Sequence, residues 1–287
     1  MKLLGPAEVR DLAHLVGITP TKRLGQNFVI DQNTVRRIVR TGAVEAGQEV
    51  VEIGPGLGSL TLGLLEAGAH VVAIEIDRRL AEQLPLTVAA VEPEATRRLT
   101  VLHADAMRVT ELPGQPTRLM ANLPYNISVP VLLHFMEHFP TIRSGLVMVQ
   151  AEVGQRIAAA PGGKIYGSPS VKAAWYGQWR TAGVVSRQVF WPVPNVDSIL
   201  VSFQRNQNQP GDDALRKATF ALVDAAFGQR RKMLRQSLSA VLAASEGIGP
   251  ATASDILAAA GVDPTARGEQ LAIADFVRIA EHWQASG

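Results

Sequence analysis

Val50-Val51-Glu52-Ile53-Gly54-Pro55-Gly56-Leu57-Gly58 is an apolar strand that runs straight into a glycine-rich loop, and Ser59 to Glu66 continue it with helical apolar spacing. Strand, tight turn and helix in that order open a doubly wound α/β sheet, with a nucleotide-like ligand over the strand end. Glycines belong there because only a residue without Cβ turns so sharply and lets a ligand come close. The spacing is G-x-G-x-G rather than the G-x-G-x-x-G of dinucleotide sites. Glu52, two positions ahead of Gly54, suits a cationic amino-acid moiety better than a pyrophosphate, which it would repel.

Further along, His70-Val71-Val72-Ala73-Ile74 ends at Glu75, a carboxylate placed to grip both hydroxyls of a ribose. Leu99 to His103 ends in Ala104-Asp105-Ala106, where Asp105 is placed to accept from an adenine amino group. Arg118-Leu119-Met120-Ala121 ends in Asn122-Leu123-Pro124-Tyr125. The loop, Glu75, Asp105 and Asn122 thus fall at successive strand ends, the edge of an open sheet where ligands bind.

The Asn122 motif also states a chemistry. The exocyclic amine of adenine is a poor nucleophile, because its lone pair is delocalised into the ring. The Asn122 side-chain oxygen and the Leu123 or Pro124 carbonyl could accept its two N–H bonds together, drawing the nitrogen toward tetrahedral geometry. Pro124 stiffens the turn by fixing φ. Tyr125 offers a flat face on which to stack the base. These residues predict methylation of adenine N6.

The chain has 287 residues, 47% of them hydrophobic, enough to bury a core and to fill one large domain with a smaller one. A formal net charge of +2 and a pI near 9.1 permit a nucleic-acid partner without requiring one. With no cysteine, disulfides, thiolate zinc sites and cysteine catalysis are excluded. The six histidines are scattered, with no ligand-like spacing, so no metal is expected. No apolar run approaches bilayer-spanning length and Met1 to Pro6 lack a signal peptide's apolar core, so a soluble cytoplasmic protein without membrane association is expected.

Residues 1 to 33 read as a polar lead before a helix that buries Val35, Ile38 and Val39. Beyond residue 49 the pattern predicts five mostly parallel strands plus a terminal pair, that pair being Val171 to Tyr176 and Ser198 to Phe203. Arg205 to Gly211 is polar and turn-rich and reads as a linker. Everything after it carries helical spacing. The expected domains are 1–206, an α/β catalytic domain with helices on both faces of a Rossmann-like sheet, and 207–287, a small all-α domain that binds RNA. Within the latter, Gln229-Arg230-Arg231-Lys232-Met233-Leu234-Arg235 is predicted to open a second helix, with Arg230, Arg231, Lys232 and Arg235 holding phosphates; Lys22 and Arg23 are expected to do the same from the N-terminal side.

Over nearly its whole length the chain resembles the ribosomal RNA adenine dimethyltransferase family, in its bacterial small-subunit branch. The resemblance rests on Leu24-Gly25-Gln26-Asn27-Phe28, the loop Glu52 to Gly58, Glu75-Ile76-Asp77, Asp105-Ala106, Asn122 to Ser128, Val149 to Glu152, Phe190-Trp191-Pro192-Val193-Pro194 with Val196-Asp197-Ser198, and Ala226 to Lys232. It implies S-adenosylmethionine as methyl donor, contacted by Asn27, Val29, Gly54, Glu75, Asp105 and Asn122, with the loop residues Glu52, Gly56 and Gly58 and the neighbours Ile76 and Ala106 completing the site. It also implies that Phe190 closes over the target adenine opposite Tyr125. The substrate it implies is small-subunit rRNA in a pre-ribosomal 30S particle, methylated by a monomer. Two positions depart from the family pattern: Val29 stands where Leu is usual, and Asn195 where Lys is common. Large-subunit resistance methyltransferases share the catalytic pattern, but the full helical C-terminal region with Gln229 to Lys232 argues against them. DNA adenine methyltransferases generally carry Asp-Pro-Pro-Tyr, which is absent. An assembly factor that keeps the fold without the chemistry would not need Asn122 to Tyr125 intact.

Overall fold

The computed structural model describes residues 1–18, 27–124, 127–243 and 253–285, so Lys22, Arg23 and Tyr125 lie outside the described residues. It divides into two compact units, 1–154 with 179–205, and 155–178 with 206–287.

The first unit opens with α1 (Pro6–Leu15), β1 (Phe28–Val29) and α2 (Gln32–Thr41). Then follow β2 (Glu49–Ile53), α3 (Ser59–Glu66), β3 (His70–Glu75), α4 (Arg78–Val91), β4 (Leu99–His103), β5 (Arg118–Asn122), α5 (Ser128–His138), β6 (Ser144–Gln150) and α6 (Ala151–Ile157), within which the division between units falls. After the excursion into the second unit, β7 (Gly177–Val185), β8 (Phe190–Trp191) and β9 (Ser198–Arg205) complete it. The main sheet has seven strands in the order β4-β3-β2-β5-β6-β9-β7. The pairings β4-β3, β3-β2, β2-β5 and β5-β6 are parallel, and β9 runs antiparallel to β6. The chain therefore steps outward from β2 to β4 and returns to β5 on the other side of β2. That reversal opens a crevice at the carboxyl ends of β2 and β5, where doubly wound sheets bind ligands.

Burial explains the pattern. Val50 and Val51 of β2, Ala73 of β3, and Leu119 and Met120 of β5 are fully buried, as central parallel strands covered on both faces must be. Helix α3 is apolar all round and buried from Ser59 to Leu65. Its N-cap, Gly58, has φ +96°, and a Cβ there would stand 2.7 Å from Leu84 of α4, so both backbone and packing demand glycine.

Two expectations are corrected, and the compact units divide the chain differently from the expected domains. The first residues are no polar lead: Pro6 starts α1, the Glu8 carboxylate accepts from the Gly5 amide at 3.2 Å, and Leu3, Leu4, Val9 and Ala13 are buried. The run Val171 to Tyr176 is not a strand but the body of α7 (Ser168–Tyr176), and the strand of the terminal pair is β7. Finally, 155–178 groups with the C-terminal helices, whereas the sequence reading placed it in the first domain.

The second unit adds α8 (Asp213–Gly228), α9 (Leu234–Ser237), α10 (Ser239–Leu242), α11 (Ala253–Ala259) and α12 (Ile273–Ala285) to α7. Leu222, Leu234, Phe276 and Ile279 are buried in it, and the Tyr166 hydroxyl donates to the Leu271 carbonyl at 2.8 Å. Among the described residues no helix is long and apolar enough to cross a membrane.

Candidate active site

The carboxyl ends of β2, β3, β4 and β5 surround a cavity of about 290 Å³. Its wall includes Asn27, Phe28, Val29, Glu52, Gly54, Gly56, Glu75, Ile76, Asp77, Asp105, Ala106, Asn122 and Pro124. Nearly every residue expected to hold the cofactor is thus gathered in one place by the strand ends. Gly58 is the exception, standing behind the wall as the N-cap of α3.

The glycine loop is held by its own backbone. The Gly54 amide donates to the Ile74 carbonyl at 2.9 Å, and Gly54 and Gly56 have φ of +67° and +57°. A Cβ on Gly56 would stand 2.8 Å from the Phe28 ring, so the loop and β1 meet in van der Waals contact that no larger residue permits. Phe28 stacks in turn on Trp191, ring centroids 6.4 Å apart, and β1 pairs antiparallel with β8 so that Val29 faces Phe190 in register. Ser59 at the start of α3 donates to the Val29 carbonyl at 2.7 Å. Val29 thus meets α3 through its backbone carbonyl, a contact that does not depend on whether Val or Leu stands there.

Acidic groups dominate the cavity's electrostatics. Glu75 accepts from the Gly56 and Asp77 amides, both at 3.0 Å. Burial pushes its pKa up, while those amides pull the other way by favouring the ionised form. Glu52, 1% exposed, accepts from the Thr61 hydroxyl at 2.6 Å. Burial, with the Glu75 charge nearby, pushes its carboxyl up to about 8 against the opposing pull of Thr61. Asp77 is held below the usual carboxylate range by the Arg79 guanidinium, which meets it at 2.9 Å. Asp105 is half-buried and accepts from the Met107 amide at 2.9 Å. Among its described lining residues the cavity carries four carboxylates, Glu52, Glu75, Asp77 and Asp105, and no Lys, Arg or His. Such a wall repels phosphates and favours a ligand with positive charge.

Asn122 closes β5, half-buried, and its side-chain Nδ2 donates to the Asn27 carbonyl at 3.0 Å. Leu123 is buried, its amide donating to the Met148 carbonyl, and does not line the cavity by its side chain. The Pro124 carbonyl accepts from the Ser128 hydroxyl at 3.1 Å and from the Ile127 amide at 3.4 Å. Phe190 is buried on β8 and is not part of the cavity wall. Among the described residues no group of three or more His, Cys, Asp or Glu is arranged to hold a metal ion.

In the second unit Gln229 to Lys232 form the turn after α8 rather than opening a helix. Arg230 pairs with Glu269 at 2.7 Å and donates to the Lys164 carbonyl at 2.8 Å. Arg231, Lys232 and Arg235 are exposed.

A family model described as ribosomal RNA adenine dimethylase matches residues 19–284. The chain belongs to that family. The enzyme class read from the sequence, an rRNA adenine dimethyltransferase, agrees with this membership. Among curated proteins the chain is 72% identical to "Ribosomal RNA small subunit methyltransferase A" of Leifsonia xyli over 98% of both chains. It is 58% identical to the protein of the same name from Streptomyces griseus, over 98% of this chain and 95% of that one. Among solved structures, a dimethyladenosine transferase from Plasmodium falciparum has the same fold, with a TM-score of 0.77 at 23% identity, covering 90% of this chain and 97% of that one. The 23S rRNA methyltransferase ErmE shares it with a TM-score of 0.64 at 24% identity, covering 90% of this chain and all of the other. These last two likenesses establish the methyltransferase fold and nothing finer.

Proposed function

We propose that the protein transfers methyl groups from S-adenosylmethionine to N6 of two adjacent adenines in a 3′-terminal hairpin loop of small-subunit (16S) rRNA, giving N6,N6-dimethyladenosine in a pre-ribosomal 30S particle. The observation that carries the reading is the placement of the Asn122-Leu123-Pro124 turn at the mouth of the acidic cavity, at the sheet's switch point. Family membership and the names of the relatives support the substrate.

The cavity fits this cofactor by its chemistry. Glu75 would hold the ribose hydroxyls, Asp105 the adenine amine, and the loop from Glu52 to Gly56 the cationic amino-acid part, with Asn27 and the Val29 backbone closing the other side. When bound, S-adenosylmethionine supplies an electrophilic methyl carbon on a positively charged sulfur that leaves as a neutral thioether. The protein's own work is then positioning and electrostatics.

Two acceptors must meet the adenine N6 hydrogens. Asn122 commits Nδ2 to Asn27, so Oδ1 is the end of its amide left to accept. The Pro124 carbonyl already receives Ser128 and Ile127, one donor for each lone pair. That occupancy favours the Leu123 carbonyl as the second acceptor. Phe190, tied to β1 through β8, and Tyr125 are the proposed stacking pair for the flipped base. Arg231, Lys232 and Arg235 are the phosphate contacts of the helical region, with Lys22 and Arg23 on the N-terminal side.

The test is to incubate the protein with labelled S-adenosylmethionine and separate, unmethylated small and large ribosomal subunits, then map the label. Label on two adjacent loop adenines of 16S rRNA is expected. Label confined to large-subunit RNA, or none, would overturn the reading.

A further inference from the structure

Glu52 is the most deeply buried of the charged wall residues, at 1% exposure, and among the described residues its side-chain partner is a neutral hydroxyl, that of Thr61. Among the described residues, the groups packed around it supply no compensating cation. Across β3 stands Glu75, itself buried; beyond the strand ends lie Asp77 and Asp105. On β5, Arg118 sits in register with Val50, two residues back, and spends its guanidinium on the Gly42 carbonyl and the Gln48 side chain. On α3 the other ionisable group is Glu66, at the far end and paired with Arg36. A buried carboxylate so placed is protonated when the cavity holds only water, and a cation brought against it supplies what the fold withholds.

From this arrangement we infer that Glu52 releases its proton to solvent when the cationic methyl donor binds and recovers one when the spent cofactor leaves, so that the cavity senses the charge of its cofactor. The inference rests on the cofactor reading given above. The O–H bond of the Glu52 carboxyl (Oε–H) breaks on binding; the proton passes to water, and the ligand's positive charge takes its place as counter-charge. After transfer the ligand has lost its sulfonium charge, and the ionised form of Glu52 loses part of its stabilisation. The donor is thereby held more firmly than the product at the same contacts.

Thr61 tunes the midpoint. Its hydroxyl favours the ionised form, while burial and Glu75 oppose it, leaving the carboxyl near 8 in the free protein. Binding that ionises such a group gains affinity as pH rises toward that value and levels off above it. Donor affinity should therefore climb up to about tenfold per pH unit between pH 6 and 7 and flatten above pH 8.

Titration calorimetry of the full chain with S-adenosylmethionine, in buffers of different ionisation enthalpy, counts the protons directly. At pH 7 roughly 0.9 of a proton is expected to leave per donor bound, from a group titrating near 8. Glu52→Gln should lower that count by nearly the whole amount, and S-adenosylhomocysteine should release clearly less than the donor. Thr61→Val retains the carboxylate and should move the pH at which release fades upward, which covers the case in which the Gln variant does not fold. Equal proton release by wild type and Glu52→Gln, or by donor and product, would overturn the inference while leaving the cofactor reading intact. Absence of any S-adenosylmethionine binding to the wild-type chain would overturn both.

Discussion

The Asn122 amide donates to the Asn27 carbonyl across 3.0 Å, so the residue that ends β5 is oriented by the residue that leads into β1. That hydrogen bond leaves Oδ1 as the end of the amide that can accept a further donor. Asn122→Ala should remove a positioned acceptor and cost about 100-fold to 1,000-fold in turnover, the usual effect of losing one such group. Donor affinity should change comparatively little, because the proposed function has Asn122 act mainly on the target amine. Single-turnover rates beside calorimetric affinities provide the check, and near-normal turnover would place amine activation elsewhere.

Glu75 accepts two backbone amides, from Gly56 and Asp77, while facing the cavity. It therefore holds the glycine loop in shape, and in the proposed function it also offers oxygens to a ribose. Glu75→Ala should weaken S-adenosylmethionine binding sharply while the domain stays folded, since the two freed amides sit at the cavity wall where solvent reaches them. Calorimetric affinity equal to wild type, with an unchanged circular dichroism spectrum, would remove Glu75 from the ribose site.

The four basic residues of the C-terminal run divide into two kinds. Arg231, Lys232 and Arg235 are exposed, and their conversion to Gln should weaken RNA binding and reduce the log–log salt slope by up to about one unit per lost phosphate contact. Arg230 is engaged with Glu269 and the Lys164 carbonyl. Arg230→Gln should show first as a loss of stability, about 1 kcal/mol for a partly exposed pair, read as a lowered Tm. Unchanged salt dependence in the triple variant would return these side chains to plain solvated surface.

Much of the site was legible because each of its parts sits at a strand end, and strand ends are marked twice: by the halt of an apolar run and by the residue that follows. Glu75, Asp105 and Asn122 were readable in that way, and all three line the cavity. Gly58 reads from the sequence as part of the ligand loop, and the sequence does not show that its left-handed φ and its approach to Leu84 also serve the packing of α3 on α4. Val171 to Tyr176 was read as a strand because a short apolar run has no decisive period. Val171 and Trp175, four apart, are both buried on one helix face, and Pro169 near its start favours that helix. The strand that does exist, β7, carries two glycines and exposed Arg180 and Thr181, so no alternation betrays it. The pairing of β1 with β8 spans two residues on each side and joins segments about 160 positions apart, far below what local pattern can reveal.

The product poses the strictest demand on the site. After a first transfer the target amine keeps a single N–H, so either Asn122 Oδ1 or the backbone carbonyl beside it loses its donor and must tolerate a methyl group instead. Leu123 is buried and its amide is fixed to Met148, which makes its carbonyl the rigid member of the pair. Asn122, half-buried and held by one hydrogen bond, is the one with room to yield. The second methyl is therefore expected to arrive with the remaining N–H on the Leu123 carbonyl, after spent cofactor has been exchanged and while the base stays stacked. A loop adenine makes this feasible, because it can be held unstacked through two rounds at lower cost than a paired one. Nucleoside mass spectrometry after exhaustive reaction on a methylation-free small-subunit precursor should give N6,N6-dimethyladenosine as the final species, with the monomethyl form only passing through. Asn122 variants that retain turnover should stall with monomethyladenosine in excess, and a wild-type reaction that ends at monomethyladenosine would show that the pocket admits no second methyl.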